Sequence, residues 1–186
     1  MGVFTMEITV LEQTPTRLRV HVKGVPLHVL NSIRRAVIAE VPTMAVDYVV
    51  FIVNSSVFYD EYIAHRLGLI PLTSKEALNK YKSPEECSSV AEEAIFPEEC
   101  FVKLDLVVSN PSDSKEPRIV YSKELVSSDP DVRPVYDTIP VLVLGPGQEV
   151  KLEAYARLGR GREHAKWSPI SVAVHKYIAD ISISYS

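Results

Sequence analysis

The hydrophobic and polar residues of this chain alternate mainly with a period of two, which is typical of β-strands. Residues 6–10 and 17–23 show this alternation on either side of a Thr-Pro-Thr turn and predict a β-hairpin. Further strands are predicted at 43–58, 101–108, 118–121, 141–144, 149–158 and 170–174, and residues 178–185 alternate again.

Apolar residues at three- and four-residue spacing predict two helices, at 26–40 and 59–67. The first helix has one apolar face, formed by Leu27, Leu30, Ile33 and Val37. Residues 74–99 are acidic and rich in small side chains, so we expect irregular structure there, with one helical turn near 76–81. Strands without regular crossover helices favour an α+β fold with mostly antiparallel sheets.

Composition narrows the class of protein. The chain has 186 residues, of which 46% are hydrophobic, and this content supports a packed core rather than a disordered chain. The net charge of -4 argues against a surface built wholly for nucleic acid. We see no apolar run that could span a bilayer and no signal peptide, so we expect a cytoplasmic protein.

The sequence lacks the short motifs of common enzymes, namely a P-loop, a nucleophile elbow, HExxH or a dinucleotide fingerprint. Glu61 and His65 are four residues apart on a predicted helix and are the best candidate for a hydrolase, although a helix-surface pair is the favoured interpretation. The basic residues at 157–166 are compatible with a phosphate-binding loop, but a tight turn is favoured there.

The two cysteines, Cys87 and Cys100, leave several interpretations open. They are too few for a disulfide scaffold or for a zinc site made of cysteines alone. Free or buried thiols are favoured, and a disulfide is expected only in the cytosol of a hyperthermophile. Acidic neighbours disfavour a reactive thiolate.

Three longer stretches carry a family resemblance, together with residues 121–123. They are LNSIRRA at 30–36 continuing into EVPTMAVD at 40–47, YDEYIAHRLGLIPL at 59–72, and LGRGREHAKWSP at 158–169. In order and spacing the chain resembles the D-type subunit of archaeal RNA polymerase. That family is the counterpart of the N-terminal region of the bacterial alpha subunit and of the third-largest subunit of eukaryotic RNA polymerase II.

The resemblance implies a two-part architecture. Residues 1–42 and 170–186 are expected to form part of a dimerisation domain, and residues 43–169 an inserted, β-rich domain. It also implies a non-catalytic assembly subunit that heterodimerises with subunit L, recruits subunits N and P, and docks on the second-largest catalytic subunit. DNA is then contacted only through the complex. The alternative is a free-standing nucleic-acid or phosphate-binding module that uses residues 157–166.

The resemblance also assigns partner-binding residues, with no catalytic residue and no metal ligand among them. The apolar face of the first helix is expected to contact subunit L, and Arg34 and Arg35 the large subunit. The other candidate docking residues are Glu61, His65, Arg66, Arg160, Arg162, His164, Lys166 and Trp167. Tryptophan and arginine are enriched where interfaces are tightest.

Two departures from the family pattern shape the remaining expectations. Relatives with a metal loop carry several cysteines around 87–100, whereas only two stand here, so we expect no zinc. Many archaeal members continue into an iron–sulfur domain and a final helix that this sequence does not contain, so we expect no cofactor. Without that helix, apolar surface is expected to stay exposed unless a companion polypeptide covers it.

Overall fold

The fold combines antiparallel sheets with short helices, as the α+β prediction required. The computed structural model describes residues 6–90, 95–179, 181, 183 and 184. Within these residues the chain divides into two compact units. Unit 1 contains the residues up to Ile38 and those from Ile170 onward, and unit 2 contains Ala39–Pro169.

Unit 1 is built from a hairpin and a helix, and both predictions are confirmed. Strands β1 (Glu7–Thr14) and β2 (Arg17–Lys23) pair antiparallel, and helix α1 (Leu27–Ala39) follows. In the hairpin Ile8 lies opposite Val22 and Val10 opposite Val20, so these residues share one face. Of the four, only Val22 is half-buried, while the other three are exposed.

The predicted strand at 170–174 is wrong. Residues 170–174 are irregular, and so are the described residues of the alternating tail. A strand needs a neighbour to satisfy its backbone hydrogen bonds, and neither segment pairs with another described strand.

Unit 2 is centred on a four-stranded antiparallel sheet. Its strands are β3 (Thr43–Asn54), β4 (Phe101–Ser109), β6 (Val126–Ser127) and β8 (Glu149–Gly159), and their order across the sheet is β3-β8-β4-β6. Strands β5 (Arg118–Tyr121) and β7 (Pro140–Leu144) form a separate antiparallel pair. Single 3-10 turns lie at Ser122–Glu124 and Ala165–Trp167.

The core of unit 2 lies on one face of this sheet. Leu104 pairs with Ala154 and Leu106 with Leu152, and all four are fully buried because alternate residues of paired strands share a face. Helix α2 (Asp60–Gly68) covers this face with Ile63 and Leu67. The opposite face of β4 and β8 points outward.

The connection between α2 and β4 is more helical than predicted. It contains α3 (Ala77–Lys80), close to the predicted turn, and α4 (Pro84–Val90), which was not predicted. Helix α4 begins with a capping box, in which the Ser83 hydroxyl accepts from the Glu86 amide and the Glu86 carboxylate accepts from the Ser83 amide.

Cys87 of α4 forms a disulfide with Cys100, just before β4. This corrects the preference for free thiols. No group of three or more His, Cys, Asp or Glu side chains in the described part of the chain is arranged to hold a metal ion. Among the described helices, none is both long and apolar enough to cross a membrane.

Candidate functional site

A half-buried carboxylate, Asp47, organises the surface on which the sequence motifs meet. Asp47 lies at an irregularity in the pairing of β3 with β8, between Val46 and Tyr48. Such a bulge redirects a side chain that regular alternation would point elsewhere. Its Oδ1 accepts a hydrogen bond of 2.6 Å from Lys166 Nζ, and its Oδ2 accepts one of 2.7 Å from Arg157 Nε.

These two cations set the ionisation of Asp47. Burial by itself raises the pKa of this carboxyl, but the hydrogen bonds from Lys166 and Arg157 outweigh burial and lower the pKa below its ordinary value. Asp47 therefore stays ionised, and the cluster is a half-buried ion pair with two donors. Because one carboxylate accepts from both cations, it holds the Lys166 and Arg157 head groups close together.

Trp167 is held inside this cluster. The residue is only 3% exposed, with the Arg157 guanidinium 4.5 Å and the Lys166 ammonium 4.3 Å from its ring centroid. Its Nε1 donates to the Arg157 carbonyl at 3.2 Å, and Thr43 Oγ1 donates to the Trp167 carbonyl. The burial of the ring argues against the prediction that Trp167 contacts a partner directly.

The space beside Trp167 requires glycine at position 159. A Cβ there would lie 2.7 Å from the ring nitrogen Nε1 and closer still to two ring carbons. The glycine is thus explained by the close approach of strand β8 to the indole ring.

A shallow groove of about 340 Å³ borders the cluster. It is lined by side chains from both the helix motif and the loop motif. The polar ones are Asp47, Glu61, His65, His164 and Lys166. Glu61 and His65 are exposed on α2, and His164 is exposed on the loop, where its Nδ1 accepts from the Lys166 amide. The structure therefore brings together four of the predicted docking residues.

Neither the hydrolase alternative at Glu61 and His65 nor the favoured helix-surface pair gains support. Both side chains are exposed, and no hydrogen bond or ion pair joins them in the described part of the chain. Their neighbour Arg66 forms hydrogen bonds within unit 2, because its guanidinium donates to the carbonyls of Val141 at 2.7 Å and of Pro140. Arg66 therefore ties α2 to β7 and is half-buried.

The two loop arginines are neutralised by carboxylates. Arg160 and Arg162 each pair with both Glu40 and Glu85, at nitrogen–oxygen distances of 3.1–3.6 Å. Glu85 lies in the first turn of α4.

Every cation of the basic stretch is thereby matched. Arg157 also faces Glu163 at 3.4 Å, and Lys166 faces Asp47. Cations already held by carboxylates attract phosphate weakly, which argues against the nucleic-acid interpretation of residues 157–166.

On helix α1 of unit 1, the predicted apolar face is substantially exposed. Ile33 is 50% exposed and Leu27 is 42% exposed, while Leu30 and Val37 are half-buried. No residue of this helix is fully buried.

The arginines of the same helix form no ion pairs with other described residues. Arg34 is half-buried and Arg35 is exposed, and neither forms an ion pair with another described residue. Both guanidinium groups therefore keep their hydrogen-bond donors for other molecules.

Sequence reasoning missed the acidic half of these clusters. Glu40 and Asp47 lie in the stretch 40–47 and Glu85 lies in α4, and the sequence did not identify any of them as a partner of the basic residues at 157–166. Its pairing with Arg157 spans 110 positions, and sequence spacing does not reveal such contacts.

Comparisons with known proteins agree with the resemblance seen in the sequence. Residues 49–178 match the family described as the RNA polymerase Rpb3/RpoA insert domain. The chain is 43% identical over 170 residues to DNA-directed RNA polymerase subunit Rpo3 of Aeropyrum pernix, covering 91% of this chain and 58% of that protein. For Rpo3 of Pyrobaculum islandicum the identity is 46% over 169 residues, covering 91% and 61%.

Rpo3 of Archaeoglobus fulgidus is 44% identical over 178 residues, covering 96% of this chain and 63% of that protein. The chain spans about three fifths of the length of the curated relatives it matches. Rpo3 is the D-type subunit of archaeal polymerases, within the alpha and Rpb3 family, so the predicted resemblance is confirmed. The chain belongs to the RNA polymerase Rpb3/RpoA insert domain family.

Proposed function

We propose that this chain acts as a non-catalytic assembly subunit of an archaeal DNA-directed RNA polymerase. In this proposal unit 1 heterodimerises with subunit L, unit 2 docks on the second-largest catalytic subunit, and subunits N and P join the platform. Relatives at 43–46% identity are named as polymerase subunits, which supports this role. The chain requires no cofactor for it.

The exposed apolar face of α1 is the observation that carries the proposal. Fully burying a leucine or isoleucine side chain contributes about 1.5–3 kcal/mol. Ile33 and Leu27 retain nearly half of their surface for such burial, and Leu30 lies between them on the same face. A helix with an open apolar stripe is suited to packing against a partner helix.

The groove of unit 2 fits a different kind of contact. Glu61, His65 and His164 project into solvent around Asp47 and Lys166, which neutralise each other. A half-buried ion cluster beside exposed polar side chains gives a surface with many hydrogen-bonding groups. This surface is suited to docking on a large polar partner rather than to burial in a hydrophobic core.

The test is complex formation with an archaeal subunit L. The chain, and a second version fused to the remaining part of the Archaeoglobus fulgidus relative, are each co-expressed with L, and the complex is measured by affinity capture and sedimentation. The double variant Leu30→Glu, Ile33→Glu is expected to bind L about 100-fold more weakly, equivalent to about 2.7 kcal/mol, because both charges enter the packed face.

Ser32→Glu is the matched control. Ser32 is exposed and lies on the opposite side of α1 from the apolar stripe, so the same charge should change binding less than about twofold. If neither version captures L, or if Ser32→Glu weakens capture as much as the double variant, the proposed role of α1 is refuted.

A further inference from the structure

A second groove, of about 810 Å³, lies on the outward side of unit 2 and shares no lining residue with the first. It runs over the outer face of β4 and β8, where Lys103 pairs in register with Tyr155. Its walls include Tyr81, Phe96 and Phe101. Its size falls within the range of about 300–1,000 Å³ that is typical of ligand sites.

Aromatic rings form the apolar wall of this groove. Phe96 stacks on Tyr155 with centroids 3.9 Å apart and planes at 10°, and it meets Phe101 edge-on at 5.5 Å. Tyr48 joins the cluster at 5.6 Å from Phe96. Tyr48 is exposed and the other three rings are half-buried, so each residue keeps some surface that a ligand can reach.

Carboxylates outnumber lysines around these rings. On one side Lys103 bridges Asp105 and Glu153, and on the other Lys80 bridges Asp129 and Asp131. Among the residues that line the groove, the carboxylates Glu98 and Asp129 face one lysine, Lys103. Arg157, which pairs in register with Phe101, is itself paired with Asp47 and Glu163.

One of these carboxylates, Glu98, has no ion-pair partner among the described residues. Glu98 lines the groove and is exposed, and it forms no ion pair with any residue in the described ranges. A free carboxylate beside open aromatic rings provides the two interactions that a guanidinium group uses, namely a salt-bridging acceptor and a π-face.

We propose that this groove, called here the aromatic groove, binds an arginine side chain presented by a basic peptide segment of a partner protein. The guanidinium lies against the solvent-accessible part of the half-buried Phe96 and Phe101 rings and donates hydrogen bonds to Glu98. The surrounding excess of negative charge attracts the rest of the basic segment. The proposal does not depend on the polymerase role, because only the groove's own side chains carry it.

The charge and the aromatic rings of the groove disfavour other ligands. Nucleic acids and phosphopeptides carry the same sign of charge as the groove and are repelled. An uncharged apolar segment would bury the carboxylates without pairing them, at a cost in free energy. Arginine is favoured over lysine because its planar guanidinium stacks on aromatic rings and is the more weakly hydrated cation.

The experiment uses the full chain and a fluorescein-labelled synthetic peptide made of glycine, serine and two arginines. Binding of the peptide to the chain is measured by fluorescence anisotropy at low salt. A matched peptide carries citrulline, the neutral isostere, in place of arginine. We expect the arginine peptide to bind about tenfold more tightly than the citrulline peptide, and its affinity to fall as salt is added.

Variants of the chain locate the binding. Glu98→Gln, at an exposed position that leaves the fold intact, is expected to weaken the arginine peptide about fivefold, and Phe96→Ala by a similar factor. Glu149→Gln is the control, since Glu149 is also exposed but lies six positions from Tyr155 along β8, about 20 Å away. Its affinity should stay unchanged.

The outcomes are decisive in both directions. Equal affinity of the arginine and citrulline peptides, no saturable binding up to millimolar concentration, or tighter binding of a glutamate peptide each overturns the proposal. Equal losses in Glu98→Gln and Glu149→Gln place the peptide elsewhere and also overturn it. The citrulline and Glu98→Gln comparisons hold even if Phe96→Ala fails to fold.

Discussion

The close approach of β8 to the indole of Trp167 makes Gly159→Ala the sharpest test of the packing in unit 2. The added methyl group would overlap the ring, with its carbon 2.7 Å from Nε1. Either the ring or the strand must move. Movement of the ring breaks its hydrogen bond to the Arg157 carbonyl and separates it from Arg157 and Lys166.

The magnitude follows from these contacts. Overpacking costs about 1–3 kcal/mol, the lost hydrogen bond about 1 kcal/mol, and each weakened cation–π contact about 0.5–1 kcal/mol. Partial relaxation makes these contributions less than additive, so we expect a loss of about 3 kcal/mol in the free energy of unfolding. With a urea m-value of about 2 kcal/mol/M, the midpoint falls by about 1.5 M.

The chain itself supplies the assay and the control. Trp167 is the one tryptophan of the sequence, so its fluorescence during urea unfolding reports on unit 2. Gly68→Ala is the matched substitution, because its Cβ would meet only the Val46 carbonyl oxygen at 3.5 Å and Lys166 Cδ at 3.8 Å. Alanine is the better helix former, so this variant should be neutral or slightly stabilised.

Two results would refute this reasoning. One is a loss below about 1 kcal/mol for Gly159→Ala, which would mean that the strand gives way freely. The other is an equal loss in Gly68→Ala, which would mean that any methyl group in this region is harmful.

Two further predictions concern the disulfide and Asp47. Reduction of Cys87–Cys100, which are separated by 13 positions, should lower the free energy of unfolding by about 3 kcal/mol, measured by urea unfolding with and without reductant. The double variant Cys87→Ala, Cys100→Ala should not respond to reductant, and an equal response would contradict the assignment. The folded-state pKa of Asp47 lies below its ordinary value of 3.8, so its contribution to stability is fully present above that pH and is lost as pH falls through the lower, folded-state pKa. Asp47→Asn should therefore be less stable than the wild type at neutral pH and show a smaller loss of stability on acidification, measured by unfolding at a series of pH values from about 5 to 2; parallel curves would contradict it.

Local patterns predicted most of the fold. The hairpin, α1, α2 and the long strands β4 and β8 each carry a clear period of two or of three to four residues, and these predictions are confirmed. Helix α4 was missed because its composition looked irregular, although the Ser83-x-x-Glu86 spacing is a capping-box signature that identifies its start. The alternation at 170–174 was misleading, because periodicity shows that a segment suits a sheet without supplying a paired strand.

The site was harder to predict than the fold. The motifs gave Glu61, His65, His164 and Lys166 as docking candidates without predicting that they line one groove, and the Asp47 beside them depends on a bulge that the sequence does not reveal. The frequency of tryptophan at interfaces predicts an exposed contact at Trp167, whereas here the ring fills the space beside a glycine of β8. Charge compensation across long separations is a property of the tertiary structure alone.

The exposed apolar face of the β1–β2 hairpin has a consequence for local unfolding and proteolysis. Two strands alone are marginally stable in water, and Ile8, Val10 and Val20 contribute little to stability while they stay exposed. We therefore expect the hairpin to open locally more often than the sheet of unit 2, which would present its backbone to proteases and its apolar side chains to other chains. A polypeptide that covers this face, as in the proposed heterodimer, is expected to slow both processes.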